Sequence, residues 1–166
     1  MFDSSLQRLL TVLIVLAGVS PLLAADTTNE PLNSKGSLPK TTDGRALNLN
    51  FEKGDLSDWT ATGNAWDQQP VKGGIDQNRP FGGGKKSLHT GEFWIGGYEK
   101  LQDGPQGTLT SAPFEVTAPW CSFLVGGGSF EETRVELVNT EDGKVFFKVS
   151  GTNQEEMRPA VANLTA

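Results

Sequence analysis

The sequence predicts an all-β fold, an antiparallel β-sandwich of the jelly-roll or galactose-binding-like kind. Three observations carry this. Glycine is abundant, at 20 of 166 residues, as suits a module built from many turns. Short apolar stretches of period two recur between turn signals, the pattern of half-buried strands. After the N-terminal apolar run, no stripe of period 3.6 marks an amphipathic helix.

The N-terminus carries Arg8, then LLTVLIVLAGV over residues 9–19, a Ser20 Pro21 break, and small residues at Ala24 and Ala25. This has the parts of a secretory signal peptide, expected over 1–25, with an uncleaved anchor as the alternative. No later run is long enough to span a bilayer, so the expected address is secreted, periplasmic or cell-surface. Residues 26–45 are rich in Thr, Asn, Ser, Pro and Lys. Such a segment buries too little apolar surface to offset the entropy of ordering it and is expected to be a disordered linker.

The sandwich module is expected over 46–166. Leu47, Leu49 and Phe51 alternate with Asn48 and Asn50, as in a strand with one buried face. FEKGDLSDW follows over 51–59, with a turn at Gly54 Asp55 and Trp59 returning to the interior. Short strands are expected at 59–62, 65–69, 87–89, 93–96, 107–111, 114–116 and 121–125, with a glycine-rich polar excursion over 73–86. The clearest hairpin joins 134–138 to 145–149 through Asp142 Gly143, with Val135, Leu137, Val145, Phe147 and Val149 inward. Val161 and Leu164 begin another inward strand, and the sandwich is expected to lack its closing strands.

Composition narrows function. A net charge of −6 disfavours a nucleic-acid partner, because that affinity rests on Lys and Arg displacing counterions. The single cysteine, Cys121, cannot form an intramolecular disulfide and reads as a small buried filler.

NLNFEKGDLSDW, WIGGYE, GTLTSAPFEV, PWCSFLVGGG, TRVELV and SGTNQEEMRP resemble, in that order, a β-sandwich module of secreted planctomycete proteins that carry cytochrome-c-like domains. A related pattern accompanies some levanase and invertase-type hydrolases. The resemblance covers about residues 48–164. It implies a shortened copy or fragment of a longer protein and points toward glycan. The chain has no CxxCH, so haem chemistry does not carry over.

Sugar rings stack on aromatic faces flanked by directed polar groups. The candidate ligand-binding residues are therefore Trp66, Gln68, Arg79, Trp94, Tyr98 and Glu99. The competing reading buries both tryptophans and pairs Arg79 with Glu99 to pin the long loop. Glu52 and Asp55 are candidate ligands of a structural calcium, which accepts oxygen from irregular loops; the turn also uses both without metal. No carboxylate pair is selected for glycoside hydrolysis, and Ser87 near His89 does not by spacing make a nucleophile and base. No catalytic residue is assigned, and no cofactor beyond that calcium. The expected function is a non-enzymatic extracellular module for a polysaccharide or cell-surface component. The rival is a structural or protein-interaction domain, and exposure of the aromatics discriminates between them.

Overall fold

The computed structural model describes the backbone of Leu9–Leu16 and residues 36–165 in full. The fold is all-β with antiparallel pairing throughout, and the one helix among the described residues is a single short turn. The strands are β1 (Leu9–Leu16), β2 (Trp59–Gly63), β3 (Val71–Lys72), β4 (Phe93–Trp94), β5 (Gly107–Ser111), β6 (Phe114–Glu115), β7 (Trp120–Gly127), β8 (Arg134–Asn139), β9 (Val145–Ser150) and β10 (Gln154–Asn163). Helix α1 is Gly97–Leu101.

The large sheet runs β2-β5-β1-β8-β9, with β6 also on β1; β10 pairs β7, and β3 pairs β4. One core cluster joins Phe114, Leu137 and Phe147 of the large sheet to Cys121, Phe123 and Ala162 of the β7–β10 pair, with Leu47 and Leu164 beside them. A second gathers Trp66, Ala65 and Leu109, with Phe51, Leu56 and Trp59 against it. A third holds Val71, Ile75 and Trp94 under the long excursion. Burial of side chains of this size is the main stabilising term.

Several local expectations change. Residues 47–51 form turns instead of a strand, and Asn48, expected outward, is buried. Its side-chain amide donates to the Asp55 carbonyl at 3.0 Å and accepts from the Lys53 N–H at 3.2 Å, and its own carbonyl accepts the Trp59 indole N–H at 2.8 Å. One buried amide thus closes the 48–59 loop, and Phe51 stacks on Trp59 with centroids 5.0 Å apart. Residues 65–69 and 87–89 are likewise turn and coil, while Val71–Lys72 supplies a strand that period-two reading passes over.

The last hairpin forms where expected, except that the register slips between Leu137 and Val138. Leu137 is fully buried and Phe147 packs on the core, but Val145 turns outward at 45% exposure. A bulge reverses side-chain alternation on one side of itself.

At the N-terminus, residues 1–8 and 17–25 of the expected leader and 26–35 of the expected linker lie outside the described residues. Leu9–Leu16 is an interior strand of the large sheet, paired with β5 and β8. The end of the expected linker is also ordered. Lys40 bridges Ala46, the Leu47 N–H donates to the Pro39 carbonyl, and Arg45 pairs with Asp58.

Candidate functional site

The excursion between β3 and β4 is folded around one cation. The Arg79 guanidinium binds the carboxylates of Glu99 and Glu155 and lies 4.9 Å from the centre of the Tyr98 ring. Its side chain is 7% exposed and that of Glu99 is 3%. The other Glu99 oxygen accepts the Asp76 N–H at 3.0 Å, so the carboxylate ties the loop to α1 through two bonds. A charge that deep needs its partners, since an unpaired ion in low dielectric is costly.

The six residues read as a ligand face are not arranged as one. Trp66 is 4% exposed and Trp94 9%. Their indole N–H groups donate inside the protein, Trp66 to the Thr62 carbonyl at 3.2 Å and Trp94 to the Gly73 carbonyl at 2.6 Å. Tyr98 lies against Arg79, whose forked donors both Glu99 and Glu155 occupy. Gln68 is exposed in a turn, and it is Gln69 that reaches the start of α1, donating to the Gly96 carbonyl at 2.9 Å and accepting its N–H at 3.0 Å. These side chains build the loop from within. The reason is size and charge: large rings fill a thin core best, and an arginine drawn under a loop must take its carboxylates with it.

Glu52 and Asp55 have separate partners. Glu52 accepts the N–H groups of Glu92 and Phe93 at 3.0 Å, which hold its carboxyl below the usual range, the Phe93 bond most strongly. Asp55 accepts the Ser57 N–H at 2.9 Å. Among the described residues no three His, Cys, Asp or Glu side chains are grouped to hold a metal ion.

A cleft of about 280 Å³ opens between the two limbs of the excursion, lined by Ile75 and Gln77 on one side and Lys85, Lys86, Leu88 and His89 on the other. Leu88 is 56% exposed at φ +55, a conformation rarely adopted by a branched side chain. On the same segment Phe81 is 73% exposed. Its setting, after Pro80 and before three glycines, was the sequence signal for an aromatic ring that no core could claim.

Ser87 Oγ lies 2.5 Å from His89 Nδ1, and the imidazole stacks on Trp94 with centroids 5.4 Å apart. Ser87 is only 3% exposed and lines the same cleft as His89. Glu99 and Glu155 share one guanidinium, and among the described residues no carboxylate lines the cleft, where glycoside hydrolysis needs a pair. Burial raises the Cys121 thiol above its ordinary value, away from thiolate chemistry.

No family model matches the chain, and no solved structure matches it. Over 100 residues, 60% of its length, it is 31% identical to the protein named "Putative glycosyl hydrolase ecdE" from Aspergillus rugulosus. The matched part is 13% of that fungal protein. No helix among the described residues is long and apolar enough to cross a membrane.

Proposed function

We propose that this chain is a non-catalytic, exported module that contacts extracellular polysaccharide or another cell-surface polymer. The observation that carries the reading is the likeness to a small part of a much longer protein whose printed name concerns glycosides. The ligand contact lies outside the buried tryptophans. Phe81 offers an open ring face, and the cleft on the same segment of chain presents Lys85, Lys86 and His89, donors suited to hydroxyl or acidic substituents of a sugar.

Affinity electrophoresis in gels containing fructan, glucan or sulfated algal polysaccharide tests this. Retardation is expected in at least one gel. Phe81→Ala should weaken it roughly three- to tenfold, the worth of one aromatic stacking contact, with the thermal midpoint unchanged. Trp94→Ala is the wrong probe, because truncating a core tryptophan costs about 3–5 kcal/mol of stability and confounds binding with unfolding. Absence of retardation in every gel overturns the reading.

A second reading, a structural or protein-interaction domain, is favoured by the burial of Trp66 and Trp94 with both indole donors satisfied internally. It expects no mobility change in any gel and co-purification with another part of a larger protein.

A further inference from the structure

We infer that the gap between β5 and β8 is a strand-acceptor site. It takes an extended peptide with branched aliphatic residues at alternate positions, and a second polypeptide can supply that strand when Leu9–Leu16 is withdrawn. The inference does not depend on glycan binding.

In the large sheet β5 and β8 do not pair with each other; each pairs with β1. β1 matches β5 at four positions, from Leu13 with Thr110 to Leu16 with Gly107. It matches β8 at six, from Leu10 with Asn139 to Val15 with Arg134. Adjacent strands lie about 4.8 Å apart, so vacating β1 leaves two open edges roughly 10 Å from each other. Neither edge can reach the other unless half the sheet moves.

The register shows what the slot requires. Ile14 is opposite Leu109 on one side and Val135 on the other, Val12 is opposite Leu137, and Leu10 is opposite Phe114. The register therefore sets Ile14 beside Leu109 and Val12 beside Leu137, and both leucines are 0% exposed. Leu109 belongs to one core cluster and Leu137 to another, and β1 lies between the strands that carry them. The opposite face meets Thr108, Thr110, Arg134 and Glu136. An empty slot would leave two ladders of backbone donors and acceptors unpaired, the condition under which sheets recruit a strand from elsewhere.

Removal of residues 1–25 as a leader would create that condition. The occupant it selects is a strand of the LLTVLIVL type, antiparallel to both neighbours, apolar at alternate positions and free of proline over its central residues.

The test uses the full chain with a sequence-specific protease site placed among residues 26–30. The chain is nicked, unfolded, and refolded with an excess of a labelled LLTVLIVL peptide flanked by lysines. The expected result is one labelled peptide retained per refolded chain. The same peptide with the proline change equivalent to Leu13→Pro should not be retained, since it removes a central ladder donor. Refolding that retains no label, or that retains both peptides equally, overturns the inference.

Discussion

Asp58 shows how much one side chain organises at the edge of the core. Its carboxylate accepts from both terminal nitrogens of Arg45, at 2.8 and 2.7 Å, and from the Asn48 N–H at 2.9 Å, with Lys53 at 3.7 Å. The Arg45 bonds first, then the Asn48 bond, hold its pKa far below the ordinary carboxylate range. Its backbone is at φ +70, where aspartate and asparagine are tolerated and alanine is not. Asp58→Asn should cost about 1–2 kcal/mol through loss of charge-assisted bonds, and Asp58→Ala about 1 kcal/mol more through the backbone. Because the folded pKa is depressed, the contribution is complete above the unfolded value near 4 and fades as pH falls below it. Urea titrations of wild type and Asp58→Asn should thus differ most above about pH 5 and converge toward pH 2. An unchanged difference at low pH would remove the ionised carboxylate from the explanation. Nearby Asn48 could not be read from alternation alone. A buried amide is recognised only once the donors and acceptors that satisfy it are brought round by the turn, and those come from residues 53, 55 and 57.

At the level of elements, β2 and β5 approach so closely at their ends that only glycine fits. Gly63 pairs with Gly107. A Cβ on Gly63 would strike the Gln106 carbonyl, and one on Gly107 the Thr62 carbonyl. Gly63 also sits at φ +73, so Gly63→Ala meets both steric and backbone penalties and should cost at least about 2 kcal/mol. Thermal unfolding would register this, with faster amide exchange at Thr60 and Thr62. A variant as stable as wild type would mean that the β2 end shifts freely. Strand β5 was legible to the residue because GTLTS alternates and is bounded by turn formers. The β8–β9 hairpin was legible from its Asp-Gly turn, while the fate of Val145 was not. The bulge that exposes it is set by where Leu137 and Phe147 must meet the core, a tertiary demand with no local signal. Strand β3 and helix α1 are too short, at two and five residues, to show a period.

Across the whole molecule, the same eight residues, LLTVLIVL, satisfy two physical patterns, since an apolar export segment and an interior strand of a sheet both favour branched aliphatics. Composition therefore identified the segment without fixing its place. The aromatic set left two readings open for a related reason: sequence gives the rings but not which side of the sheet they occupy, and the structure packs Trp66 with Leu109 and Trp94 with Val71 and Ile75. Arg79 joins parts of the chain 20 and 76 positions away, Glu99 and Glu155. Arg79→Ala would leave Glu99, 3% exposed, without its counterion, a loss of about 3–5 kcal/mol for a buried pair broken on one side. Arg79→Lys should recover only part of it, because a single ammonium cannot serve two carboxylates on opposite arms of a fork. In chemical denaturation the order expected is wild type, then Lys, then Ala, with exchange around Ile75 and Ser87 quickening before that at Leu109 and Leu137. If Arg79→Ala instead unfolds within about 0.5 kcal/mol of wild type, the excursion is held by Trp94, Ile75 and Val71 alone, and the ion cluster is a consequence of the fold rather than one of its supports.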